Sequence, residues 1–132
     1  MSATVTHSNG AKAAATNAVT ALIGASGFLR FHPTGSTVTT PGANIASLPF
    51  SATAFAAANS TTGVATANAI TSDTNATGGT VAFASFQTSA NAAIVHCAVA
   101  ASASDINMTG GLVVASGDTV SCSALTYAAL SQ

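Results

Sequence analysis

Charge is the scarcest property of this 132-residue chain. Lys12, Arg30, Asp73, Asp105 and Asp118 are its only residues charged at neutral pH, and Glu is absent. They amount to 4% of the sequence, where a soluble domain carries about a quarter. Charge keeps a free surface hydrated and discourages association, so the shortage points to a surface covered by neighbouring protein, as in a subunit of an assembly. Two basic residues and a net charge of -1 cannot supply the phosphate contacts of a nucleic-acid binder. With no Trp and one Tyr, the chain has little from which to build the exposed aromatic platform of a carbohydrate- or receptor-binding module. Long apolar runs are missing too. The stretch after Lys12 is interrupted by Thr16, Asn17 and Thr20, whereas a membrane helix needs about 20 consecutive apolar residues, and the same stretch is too polar for a secretory signal. Cys97 and Cys122 are the only cysteines, with neither CxxC spacing nor the number for a disulfide framework. Reduced thiols in the core are expected, the alternative being one bridge between two strands in an oxidising compartment.

What is present is Ala, Thr, Ser and Gly around a thin set of core formers. Hydrophobic residues make up 48%, but about half of these are Ala, which buries little area. Val, Ile, Leu and Phe together number 27. That is close to the level of roughly 20% at which disorder is suspected, but the high net charge that accompanies disorder is lacking. The length fits one domain, expected as an N-terminal arm over 1–9 and a single folded unit over 10–132.

Ala11, Ala15, Ala18, Val19, Leu22 and Ile23 recur at spacings of three and four, which predicts a helix over about 10–23 with Ser8 or Asn9 as N-cap and Gly24 as its stop. From about residue 28 onward, Gly, Pro, Ser, Thr and Asn clusters separate short segments rich in β-formers. Strands are expected over 28–32, 45–50, 63–70, 80–87, 94–99, 104–108, 112–115 and 119–127. In the fifth, Val95, Cys97 and Val99 share one face and Ile94, His96 and Ala98 the other, both fairly apolar, as in a central strand. In the last, a bulge near Ser123 or Ala124 would bring Val120, Cys122, Leu125 and Tyr127 to one side. Eight short strands with close turn signals predict an all-β fold, an antiparallel two-sheet sandwich of jelly-roll type over about 28–132.

No catalytic constellation emerges. His96 and Cys97 are adjacent, so on a strand they point to opposite faces and cannot act as a pair. Asp73, Asp105 and Asp118 fall at or beside turns, where Asp satisfies turn backbone groups. His7, His32 and His96 are dispersed, without the close ligand pairs of a zinc site, and no Gly-rich phosphate loop is present. The expectation is therefore a non-enzymatic chain with no metal and no cofactor. The three Asn-x-Thr/Ser matches, beginning at Asn59, Asn75 and Asn107, arise by chance in so Thr- and Ser-rich a sequence. The two Thr-Val-Thr triplets, at Thr4 and Thr37, lack the fixed period of an ice-binding array.

Four segments carry a resemblance: 50–55 (FSATAF), 63–70 (GVATANAI), 103–108 (ASDINM) and 117–123 (GDTVSCS). Over roughly 28–127 the chain resembles small β-rich proteins encoded among the virion structural genes of tailed bacteriophages. It departs from them at 82–86, where relatives tend to carry an aromatic-basic strand, and at Phe31-His32, where an apolar-Tyr pair is common. The resemblance implies a capsid decoration, or cement, protein on the outer surface of the shell, with the major capsid protein and copies of itself, as a trimer, for partners. A tail, neck or fibre subunit of the same particle is the second reading, and a host-receptor or carbohydrate-binding module the third. Val5 and His7 in the arm, with Leu22 and Ile23 on the helix, are the residues expected at an interface.

Overall fold

A computed structural model describes residues 5–108 and 110–130. It is a mostly β fold with one short N-terminal helix and a curled, not fully closed, mixed sheet. Helix α1 spans Asn9–Ala21, with the Ser8 hydroxyl accepting from the Ala11 amide at 3.1 Å as N-cap. It ends where Gly24 adopts φ +70, a left-handed conformation that costs a residue without a Cβ nothing.

The buried stripe of α1 differs from the expected one. Ala13, Thr16 and Ile23 face inward, whereas Ala11, Ala18 and Leu22 lie exposed. The reason is long-range hydrogen bonding. The wholly buried Thr16 hydroxyl donates to the Gly63 carbonyl at 2.6 Å and accepts from the Ala129 amide at 3.1 Å, joining the helix to the middle and the end of the chain. Gly63 permits this closeness, because a Cβ there would lie 2.5 Å from the Cβ of Lys12.

The strands are β1 (Phe28–His32), β2 (Ala46–Pro49), β3 (Ala65–Thr66), β4 (Gly79–Thr80), β5 (Phe83–Gln87), β6 (Ala93–Ala100), β7 (Ile106–Asn107), β8 (Val113–Val114) and β9 (Thr126–Tyr127). Five form one sheet in the order β2-β1-β5-β6-β7, while β3 pairs with β9 and β4 with β8. All pairs are antiparallel except β6 with β7, which is parallel over two residue pairs. Parallel neighbours ordinarily need a crossover of a dozen residues. Here the chain turns back through 101–105, with Ala103 at φ +56, and the pairing stays short.

A second full sheet is not drawn. Opposite the large sheet lie the two short ladders and the isolated bridges Phe50–Ile70, Phe55–Ala67 and Asp73–Val120. The segments expected as strands over 63–70 and 119–127 are mostly irregular, because few of their backbone groups meet a continuous neighbour. Val120 and Leu125 are nevertheless buried, with Cys122 and Tyr127 packed against the same core, through irregular chain rather than a bulge. A register shift does occur at Phe86/Gln87, opposite the start of β6.

Alternation divides the large sheet into two unlike faces. Leu29, Phe31, Ala46, Leu48, Ala84 and Phe86 point into the core. There the Phe86 ring meets Phe50, Phe55 and Tyr127 at centroid distances of 5.8, 5.6 and 5.8 Å. The opposite face is polar: the register sets Ser47, Arg30, Ser85 and His96 in one row across β2, β1, β5 and β6.

Candidate functional site

The chemistry-bearing side chains gather on that polar face, beneath the segment 33–44. Arg30 donates through its Nε to Ser47 at 3.1 Å and through one Nη to Gln87 Oε1 at 2.7 Å and to Asn91. Its guanidinium also lies 4.3 Å above the Phe28 ring, a favourable cation–π position. Because Arg can only donate, it fixes the Gln87 amide with Oε1 toward itself. The Gln87 Nε2 then donates to Ser85 Oγ at 2.9 Å. Ser85 in turn donates to His32 Nε2 at 2.7 Å, and His32 Nδ1 donates to the Ala43 carbonyl at 2.9 Å. The chain of bonds runs one way from Arg30 to Ala43: the Ala43 carbonyl requires the His32 hydrogen on Nδ1, and with the ring neutral, as its burial favours, Nε2 accepts from Ser85. Burial pushes His32 below the usual imidazole range; the Ala43 carbonyl opposes this, and electrostatic repulsion from the neighbouring His96 and Arg30 adds to it.

Ser85 and His32 thus have the hydrogen bond of a nucleophile and its base. Both are 0% exposed, however, and a backbone carbonyl stands where a triad has a carboxylate. The pair is closed to substrate in this structure. His96, two strands away from Arg30, contacts Ser36 Oγ through Nε2 at 3.0 Å and stacks on Phe83 at 5.0 Å. Cys97, its neighbour in sequence, points to the other face and packs against the core, as alternation predicts.

Both cysteines are free thiols. Burial, with Asp105 nearby, pushes Cys97 up to about 12. Burial also raises Cys122, against the Ala124 carbonyl contact that lowers it. Neither thiol is activated.

The carboxylates are all engaged with backbone. Asp73 accepts from the Ser47 amide at 2.9 Å and from Asn75 at 2.9 Å, Asp105 from Ala98 at 3.1 Å, and Asp118 from Ala115 at 2.9 Å. Asp118 and the Asp73–Asn75 bond fit the turn role read from the sequence. Asp73 and Asp105 do more, since each reaches a strand lying toward one end of the large sheet, β2 or β6, and occupies an amide that the ladder leaves over. Asp105 and Asp118 also line an open depression of about 520 Å³ with Asn107, Thr119 and Cys122, yet their carboxylates are already accepting these bonds. Among the described residues no three His, Cys, Asp or Glu come together as a metal site would require, and no helix is long and apolar enough to cross a membrane.

The expected interface residues are scattered by depth. Val5 and Leu22 are each 62% exposed, His7 is half-buried, and Ile23 is 1% exposed and closes the core beneath the helix. Val113, at 77%, is a more exposed large apolar side chain than any of them. The polar face was missed by sequence reasoning, although its signal is there: in β1 and β5, Arg30, His32, Ser85 and Gln87 all sit at alternate positions opposite apolar ones. No family model, curated protein or solved structure matches the chain.

Proposed function

We propose that the chain is a non-enzymatic structural subunit of a tailed-phage virion, a capsid decoration protein that bridges major capsid protein subunits on the outer surface of the head. The observation that carries this reading is the fate of the five charges. Three carboxylates are held by backbone amides and Arg30 by three neutral side chains, so among the described residues Lys12 alone is left without such a task. A surface with almost no uncommitted charge has little to oppose association. Exposed Val5, Leu22, Val38 and Val113 offer apolar contact instead. The resemblance of 28–127 to small virion proteins supplies the particle, and a trimer seated between shell subunits is the assembly proposed. A jelly-roll-like sandwich belongs to the same proposal, in which the β3–β9 and β4–β8 ladders and the three bridges are the remnant of its second sheet.

Association of this kind rests on apolar burial, about 25 cal/mol per Å² before association costs are subtracted, with exposed ion pairs adding only about 0–1 kcal/mol. Sedimentation velocity in 0.1 and 1 M NaCl tests it. A trimer that persists at high salt is expected, because screening removes charge attraction and not apolar burial. A monomer at both salt concentrations, up to the highest soluble loading, would overturn the self-associating subunit.

A further inference from the structure

The segment 33–44 is fastened to the polar face of the sheet by two histidines. His32 holds the Ala43 carbonyl and His96 holds the Ser36 hydroxyl. Between those two fastenings the strap has no helix or strand, turns on itself through the bond from Thr37 to Thr40, and leaves residues 37–40 exposed. It has no titratable side chain of its own. We propose that this strap is an acid-released device: protonation of His32 unfastens 33–44 from the sheet and uncovers the face that carries Phe83, Ser85 and His96.

A proton added to His32 must go on Nε2, which now accepts from Ser85. Ser85 Oγ has a lone pair to accept the reversed bond, but it already accepts from Gln87, and turning its own hydrogen away leaves that hydrogen without an acceptor. Ser85 is 0% exposed, and a buried donor left unpaired forfeits the hydrogen bond it would make in water. The new charge is also unbalanced. The titratable and charged groups facing His32 are Arg30 from its own strand and His96 from β6; β5 contributes Ser85 and Gln87, β2 contributes Ser47, and none of these elements brings a carboxylate to this face. A buried cation beside the Arg30 guanidinium and with no carboxylate to balance it is relieved by admitting water, and the strap, fastened over this face at Ser36 and Ala43, stands in its way. The two fastenings differ in kind. The His32 Nδ1–H still donates to Ala43 after protonation, so release is driven by the charge buried at His32 and the stranded Ser85 hydrogen, whereas His96 is only half-buried and its partner Ser36 Oγ can accept or donate.

The direction follows from linkage. His32 is held neutral in the fastened state and is free to protonate in the open one, so the fastening is at full strength above about pH 6.5, the ordinary imidazole value. It weakens as the pH falls through the lower value of the fastened state. One proton allows the open population to grow by at most about tenfold per pH unit.

Hydrogen exchange of the full chain between pH 7 and 4.5, corrected for the intrinsic rate, tests this together with nitrogen chemical shifts of the imidazoles. The expected result is a neutral His32 with its hydrogen on Nδ1 at pH 7. Protection of the Ile45 and Ala82 amides, which donate to the Phe31 and His32 carbonyls at the two ends of the strap, should then fall by up to about tenfold per unit below about pH 6.5, while the amides of α1 keep theirs. His96→Gln should leave that acid dependence in place; His32→Asn, or His32→Gln if the former fails to fold, should flatten it. Protection of the Ile45 and Ala82 amides that is unchanged down to pH 4.5, or a His32 carrying its hydrogen on Nε2 at pH 7, would overturn the proposal.

Discussion

Replacing Phe86 with Ala removes the ring around which the core is organised. Phe86 is 3% exposed and touches Phe50, Phe55 and Tyr127 at 5.6–5.8 Å, edge-on to two of them. Phe→Ala in a core costs about 3–5 kcal/mol, including the cavity left behind, and a favourable ring pair adds about 0.5–1.5 kcal/mol beyond its area. Phe55 stands on irregular chain and Tyr127 on a two-residue strand, so the site can partly collapse, which favours a loss of about 4 kcal/mol. Against a total stability of about 5–15 kcal/mol that is a large share. With a urea slope of about 2 kcal/mol per molar, the midpoint should fall by about 2 M. Leu22→Ala, at a side chain 62% exposed, should change the stability by no more than about 0.5 kcal/mol. Pairing Phe86→Ala with Tyr127→Ala should reveal a coupling of about 1 kcal/mol. If Phe86→Ala proved no more costly than Leu22→Ala, the core would not lie between the large sheet and the β3–β9 ladder.

Other substitutions probe the polar fastenings. Asp73→Ala should cost about 1–3 kcal/mol in urea unfolding by orphaning the Ser47 amide, and should increase aggregation by opening the β2 edge; Asp73→Asn, which retains an acceptor, should recover part of the loss. Thr16→Val keeps the shape but strips the Gly63 carbonyl and the Ala129 amide of their partner, for an expected loss of about 2–4 kcal/mol, measured the same way. Cys97, pushed up to about 12, should react with a disulfide reagent at pH 8 at least a hundredfold more slowly in the folded chain than in denaturant, since the thiolate is the nucleophile; equal rates would refute its burial.

The sequence made some elements plain and others not, for physical reasons. β1 over Phe28–His32 was read as it stands, because its alternation is sharp and it has a neighbour on each side. The Ser8 cap and the Gly24 stop were legible because capping is local. The helical stripe was misplaced because Ala at so many positions leaves the periodicity almost featureless, and the residue that decides the rotation, Thr16, is polar and answers to groups 47 and 113 residues away. The strands expected over 63–70 and 119–127 have the right composition, but composition cannot say that a ladder partner is missing. On the candidate site, placing Cys97 and His96 on opposite faces was correct, and the turn role expected of the carboxylates holds for Asp118 and for the Asp73–Asn75 bond, while Asp105 and the other Asp73 oxygen serve strand amides instead. The Arg30–Gln87–Ser85–His32 chain escaped because it forms only when β1 and β5 become neighbours, 53 residues apart at the His32–Ser85 contact.

A chain whose three carboxylates and Arg30 are all hydrogen-bonded within the fold is proposed to serve as a repeated part of a virion shell. Cryo-electron microscopy of intact phage particles that contain this chain tests it most directly, since position and copy number are read together. The account predicts many symmetrically placed copies on the outer surface of the head, each resting on major capsid protein. A few copies confined to the tail or neck, or none on the particle at all, would contradict it.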